Sequence, residues 1–261
     1  MNDKLKLYGF NNLTKSLSFN IYDVCYAKSL SEQEDYIRYV DEQYNSERLV
    51  NILCNIADMI GAHVLNISKQ DYDPSGASVT VLMAEKNMYK RIYGDETVAH
   101  LDKSHITVHT YPEYHPQNSI ATFRVDIDVA TCGEITPLST LDYLIGSFDS
   151  DIITMDYRVR GFTRKMDGEK IFIDHKIKSI QDYISEDTLK KYEAIDVNIF
   201  QSNIFHTKML IKDIDLQNYL FNLNVDELPG KEKKEIYNSL KREMIEIFSG
   251  TNIYHMESFL D

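Results

Sequence analysis

Apolar residues recur in two rhythms along this chain. From Tyr36 through Val40, Tyr44, Leu49, Ile52, Leu53, Ile56 and Ile60 they fall at helical spacing. Ser31 offers a cap ahead of this run, with Glu32 and Glu34 at the positive end of the helix. Asn45-Ser46 predicts a break into two helices, and Gly61 ends the second. Elsewhere the period is two. Ile120, Thr122, Arg124, Asp126 and Asp128 point one way, and Ala121, Phe123, Val125, Ile127 and Val129 the other. A strand with one buried and one polar face belongs in an antiparallel sheet with helices on one side.

The other elements follow from the same two rhythms. Leu5 to Phe10 and Ser16 to Cys25 read as extended segments around a turn at Asn11-Asn12. His63 to Ile67 and Ser78 to Met83 read as a hairpin about the turn-forming Asp71-Tyr72-Asp73-Pro74-Ser75-Gly76. Ala84 to Thr97 is polar and reads as a loop, and Pro112 to Asn118 as a turn. Thr136-Pro137 starts a helix through Leu141, Leu144 and Ile145, and Asp151 to Phe162 is a strand. Strands around Lys170 to Ile173 and Val197 to Ile211 precede a helix from Lys231 to Phe248, whose first turns carry a solvated charge run. The expected fold is an α/β (α+β) sandwich: a mainly antiparallel sheet, helices on one face, and a second sheet stacked on the open face.

The 261 residues suffice for one large domain or two small ones, and 43% of them are hydrophobic, enough for a core. The net charge of −13 disfavours a nucleic-acid or anionic-membrane partner and attracts a cationic ligand. Met1 to Lys6 lacks an apolar signal core, and no apolar run approaches the ~18 residues of a membrane span. The three cysteines have neither metal-ligand nor disulfide-framework spacing, which fits the reducing cytoplasm. Cys54 and Cys25 read as core, whereas Cys132, beside a glycine at a strand end, is placed to face a cleft. His175, His206 and His255 are scattered and read as surface or hydrogen-bonded residues rather than metal ligands. Gly76, Gly94 and Gly161 form no phosphate-binding loop.

The densest chemistry lies in Lys103-Ser104-His105-Ile106-Thr107-Val108-His109-Thr110-Tyr111-Pro112-Glu113. Its β-branched residues predict a strand, with His105, Thr107 and His109 on one face and Ser104, Ile106 and Val108 on the other. On residue types alone this is an edge strand with hydrogen-bonded histidines.

The stretch resembles the self-cleavage site of the S-adenosylmethionine decarboxylases, which carry a pyruvoyl group made from their own chain. Their small members read close to E-S-H-x-[ST]-x-H-T-[WY]-P-E, followed a strand later by T-C-G. Here the sequence is K-S-H-I-T-V-H-T-Y-P-E, then Thr131-Cys132-Gly133. Lys103 departs from the small members but matches the long bacterial type, which reads D-K-S-H. The likeness extends to K-L-K-L-Y-G-F-N-N-L-T-K-S-L-S-F and D-Y-R-V-R-G-F-T-R.

The resemblance implies self-cleavage between Lys103 and Ser104. The Ser104 hydroxyl attacks the Lys103 carbonyl, and the resulting ester is eliminated. A β chain of residues 1–103 is left, with an α chain whose first residue is the pyruvoyl group formed from Ser104. Decarboxylation needs an electron sink that no standard side chain provides, and a ketone is one. His109 matches the histidine that removes the Ser104 Cα proton, and an imidazole titrates in the right range. Cys132 matches the thiol that returns a proton to the substrate; its type alone reads as a small buried hydrophobe. Glu113 matches the carboxylate on the ribose hydroxyls, and otherwise reads as an exposed turn residue. Tyr72 matches an aromatic that stacks on adenine and cradles the sulfonium, against a packed turn aromatic on type alone. Ser78 matches a residue that orients His109, and His105 receives no role.

The implied reaction converts S-adenosylmethionine to its decarboxylated form plus carbon dioxide, for spermidine synthesis. Residues 1–165 are then the catalytic core and 166–261 an extension packed on it. The small members build their site between protomers, so a homo-oligomer of αβ units is expected. Magnesium activation belongs to the long bacterial branch, and sequence does not locate that ion. Two alternatives stay open: a pyruvoyl decarboxylase of ornithine or arginine, and an unprocessed regulatory scaffold.

Overall fold

The computed structural model describes residues 5–9, 11–85 and 104–253. Its frame is an antiparallel eight-stranded sheet of order β2-β3-β4-β5-β1-β6-β10-β9. The strands are β1 (Thr14–Tyr26), β2 (Ala62–Asp71), β3 (Ala77–Glu85), β4 (Ser104–Tyr114), β5 (Ile120–Cys132), β6 (Ile152–Arg160), β9 (Tyr192–Asp196) and β10 (Ile204–Ile211). Two short strands, β7 (Thr163–Arg164) and β8 (Lys170–Ile171), pair separately. The helices are α1 (Leu30–Gln43), α2 (Ser46–Met59), α3 (Leu141–Ser147), α4 (Glu186–Leu189) and α5 (Gly230–Ser249).

The main core lies between one sheet face and the first three helices. Leu17, Phe19 and Ile21 of β1, Val79 and Val81 of β3, and Ile106 and Val108 of β4 meet Tyr36, Leu49, Leu53, Ile56, Leu141 and Leu144. Each such side chain contributes ~1.5–3 kcal/mol when fully buried. Helix α1 is capped by Ser29, not Ser31. Ser29 has extended backbone, its Oγ accepts from Glu32 N–H at 3.3 Å, and its own N–H donates to Glu32 Oε2 at 2.8 Å. Ser31 is already inside the helix, where its side chain cannot take that position. The break at Asn45-Ser46 is present, with Asn45 Oδ1 accepting from Arg48 N–H at 3.0 Å.

The far face departs from the expected stacked sheet. Among the described residues the only other sheet is the β7–β8 pair. Helix α5 covers part of the far face instead: Val24, Ile120 and Ile152 pack against its Ile236, Leu240 and Met244. The apolar patch is local to one end of the sheet, and a helix of 20 residues spans it. The remaining far-face positions of β4 and β5 include His109, Asp126 and Asp128, which need no apolar cover.

Two further segments differ. Val197 to Ile211 is not one strand, because the chain turns through Phe200–Ser202 and a left-handed Asn203. In the first segment Leu7 forms a single bridge to Lys165 rather than a strand. Phe10, His255, Gly94 and residues 86–97 of the expected loop lie outside the described residues. Cys25 is buried as expected, but Cys54 is half-buried, on the flank of the α2 stripe.

At the α5 end of the sheet two acids lie buried together. Asp151 accepts Val24 N–H at 2.8 Å and the Tyr219 hydroxyl at 2.7 Å, and Asp23 accepts the Tyr36 hydroxyl at 2.9 Å. Burial, then the charge of Asp151, raises Asp23 well above the usual carboxylate range, and burial pushes Asp151 up to about 6. The folded pair therefore retains protons that the unfolded chain releases above ~3.9. Its contribution to stability falls as pH rises from there, through about 6 for Asp151 and through the raised range of Asp23. Asp23→Asn should remove part of that fall. Its Tm relative to the wild type should be higher near pH ~7.5 than near pH ~5 in thermal unfolding. A Tm difference that ignores pH would contradict this.

Candidate active site

β4 lies between β3 and β5, so its far-face residues have neighbours on both sides. Register places His109 opposite Ser78 of β3 and Asp126 of β5. Facing residues of this kind have Cβ atoms ~4.5–5.5 Å apart. Ser78 Oγ accepts the Tyr72 hydroxyl at 2.8 Å. Tyr72 comes from the β2–β3 turn, and Gly76 allows that turn to press on β4. Its φ is +96°, and a Cβ there would lie 2.8 Å from the Thr110 carbonyl oxygen. Ala77 N–H donates to Thr110 Oγ1 at 2.7 Å, and Gly76 N–H to Asp41 Oδ1 at 2.6 Å. Tyr72, Ser78 and His109 thus form one group.

Further along the same face the group continues through residues that sequence reasoning did not assign. The Tyr111 ring lies 6.3 Å from that of His109, roughly parallel, and the Arg124 guanidinium sits 4.4 Å from the Tyr111 centroid. Arg124 also pairs with Asp126. Arg124 Nε and Asp126 Oδ1 are buried with no hydrogen-bond partner among the described residues. The polar face of β5 was legible from alternation, but which strand it adjoins is set by register. Glu113 lies on this face too, exposed, opposite Thr122. It approaches α5: burial, then Glu246, then Glu113 raise the Glu243 carboxyl.

Ser104 belongs to a second group. It is the first residue of β4, its side chain lies on the helix-covered face, and it is 2% exposed. Its Oγ accepts Cys132 N–H at 3.3 Å. Cys132 is half-buried and ends β5, followed by Gly133 at φ +76°. Lys103 lies outside the described residues. His109 is five strand residues from Ser104, about 16 Å at ~3.3 Å per residue, and on the opposite face. One chain therefore brings Ser104 to Cys132, and Tyr72 and Ser78 to His109, but keeps the two groups apart. His105 shares the His109 face, opposite Leu82 and Ala130.

Among the described residues no three His, Cys, Asp or Glu side chains are placed to hold a metal ion. His175 sits between Asp174 at 2.8 Å and the Tyr157 hydroxyl at 3.1 Å, and His206 meets Asp156 at 2.8 Å. No described helix is long and apolar enough to cross a membrane.

A buried serine thus heads β4, and its hydroxyl accepts the N–H of the cysteine that ends β5. The model of the S-adenosylmethionine decarboxylase family matches residues 39–161. The S-adenosylmethionine decarboxylase proenzyme of Clostridium botulinum (strain Alaska E43 / Type E3) is 70% identical, with 97% of this chain and 98% of that one covered. That of Hahella chejuensis is 59% identical, covering 97% and 99%. The crystal structure of the adenosylmethionine decarboxylase from Aquifex aeolicus aligns with 64% of this chain and 99% of that one, at 18% identity and a TM-score of 0.34. On the strength of its sequence relatives, the chain belongs to the S-adenosylmethionine decarboxylase family.

Proposed function

We propose that the chain cleaves itself before Ser104 and then converts S-adenosylmethionine to decarboxylated S-adenosylmethionine and carbon dioxide, for spermidine synthesis. The observation that carries this is Ser104, buried at the head of β4 with its hydroxyl held by Cys132 N–H, in a chain so close to S-adenosylmethionine decarboxylase proenzymes. Ser104 suits the source of a pyruvoyl group. Its hydroxyl is shielded from water by its burial, and its oxygen lone pairs are oriented by the Cys132 amide.

In cleavage, Ser104 Oγ bonds to the Lys103 carbonyl carbon and the Lys103–Ser104 amide breaks, leaving an ester. The His109 imidazole takes the Ser104 Cα proton, and Lys103 leaves as a carboxylate. The remaining dehydroalanine takes up water and releases ammonia. The pyruvoyl ketone supplies the electron sink for decarboxylation. The Cys132 thiol is the proton donor to the substrate Cα. The Tyr72 face receives the adenine and sulfonium, Glu113 accepts from the ribose hydroxyls, and Ser78 orients the His109 imidazole.

The separation of the two groups supports a site shared by two copies. One copy contributes Ser104 and Cys132, the other Tyr72, Ser78, His109 and Glu113. The proposed state is thus a homo-oligomer of αβ units in the cytoplasm. Residues 1–165 carry the machinery. Residues 166–261 extend the sheet through β9 and β10 and cover part of the far face with α5. Magnesium is proposed as an activator only. No described group fits it as a set of three ligands, so no step is assigned to it.

Release of carbon dioxide from carboxyl-labelled S-adenosylmethionine, with ornithine and arginine alongside, tests the substrate. Turnover of ornithine or arginine alone would overturn it. Cys132→Ala tests the thiol. This variant should still self-cleave, yet decarboxylate slowly and more often protonate the cofactor methyl carbon instead of the substrate. That error leaves alanine at the α-chain terminus, visible by mass. Serine at 132 should do little better, because a hydroxyl is a far weaker acid than a thiol of reference pKa ~8.5. Wild-type turnover in Cys132→Ala would return this residue to a packing role.

A further inference from the structure

Lysine is among the side chains least often buried. Lys15 of β1 nevertheless lies on the core face of the sheet, 1% exposed. Its Nζ donates to the Gly133 carbonyl at 2.8 Å and to Asp174 Oδ2 at 2.8 Å. Asp174 comes from the C-terminal extension. Its Oδ2 also accepts Asn11 Nδ2 at 2.7 Å, and its Oδ1 meets His175 Nδ1 at 2.8 Å. Burial raises the Asp174 carboxyl, but His175, then Lys15 and Asn11, outweigh it and hold it well below the usual range. The pair is therefore ionic, and the carboxylate is fixed on both oxygens.

Gly133 directly follows Cys132. Its N–H donates to the carbonyl of Leu13, the residue before β1, at 3.1 Å, so Leu13 and Lys15 hold Gly133 at its N–H and its carbonyl. Contacts then run without a gap from Asp174 to Lys15, Gly133, Cys132 and the Ser104 hydroxyl. A buried ion pair adds little stability over an apolar pair of the same size. What an apolar pair lacks here is a donor to the Gly133 carbonyl.

We propose that Lys15, held by Asp174, is a positioning residue: it fixes the Cys132–Gly133 peptide, and with it the thiol and the N–H that holds Ser104 Oγ. This assigns the C-terminal extension a part in the site, and it rests on the self-cleaving reading above. Displacing reacting groups by ~1 Å costs up to ~100-fold in rate.

The test uses the full chain as Lys15→Met, Asp174→Asn and the double variant. Four quantities are followed: the self-cleavage rate of freshly translated chain, kcat and KM of the cleaved enzyme, the share of turnovers ending in alanine, and Tm. Each single variant should cleave ~10–100-fold slower, lose kcat to a like degree with KM unchanged, and form alanine more often. Both singles should also lose Tm, since each leaves a buried charge or its partner alone. The double variant should regain much of that Tm while its cleavage stays slow and its alanine share stays high. Recovery of cleavage along with Tm in the double variant would reduce the link to a structural one and overturn the proposal. So would a wild-type cleavage rate in Asp174→Asn. The cleavage arm needs no substrate, so it reads the link even where S-adenosylmethionine proves the wrong substrate.

Discussion

Ser104→Ala should remain one chain of 261 residues and show no decarboxylation above background. In the proposed reaction the hydroxyl is both the nucleophile of the acyl shift and the source of the terminal ketone, so its removal takes away the cleavage and the cofactor together. The fold should survive. The side chain is small, it lies at a strand end, and among the described residues its one hydrogen bond is the 3.3 Å contact from Cys132 N–H. Leaving that amide without its partner costs about 1–3 kcal/mol if no water replaces the hydroxyl. A melting temperature close to the wild type, with a single band on a denaturing gel, is the expected result. Two fragments from this variant would remove Ser104 from the chemistry.

His109→Ala should stall after the acyl shift. A general base contributes ~10²–10⁴-fold, so slow residual cleavage is expected. Precursor and ester should accumulate, and hydroxylamine should cut the ester. The geometry adds a stronger test. His109 is about 16 Å along β4 from the Ser104 of its own chain and faces the other way. Co-expression of Ser104→Ala with His109→Ala should therefore restore cleavage and turnover. In the mixed oligomer, one composite site receives Ser104 from one chain and His109 from the other. Each variant expressed alone should stay at its own low level. Normal cleavage by His109→Ala alone would refute its role as base, and failure of the mixture would refute the shared site.

Sequence made the candidate site residues visible more readily than their arrangement. Alternation along Ser104 to Thr110 put Ser104 and His109 on opposite faces, and the burial of successive residues agrees. The break at Asn45-Ser46 and the hairpin around Pro74 were also legible, because turn and cap chemistry is local. Three features were not. The Arg124–Tyr111–Asp126 group depends on which strand neighbours β4, a matter of register between segments. The far-face cover depends on where Val24, Ile120 and Ile152 converge, and α5 reaches them from more than eighty residues away. Lys15 gave no signal, since its partner Asp174 lies 159 residues on. The helix cap was missed for a different reason. Ser29 and Ser31 both stand three positions before a glutamate, Glu32 and Glu34, so the local pattern alone does not choose between them.

The most direct measurement is the intact mass of the purified, active wild-type protein under denaturing conditions. Two species are predicted: residues 1–103, and a larger fragment from position 104. The larger should weigh one ammonia less than a serine-headed chain and should resist chemical N-terminal sequencing, because its terminus is a ketone. A single 261-residue chain in protein that releases carbon dioxide from S-adenosylmethionine would contradict the account, as would a large fragment that begins with serine.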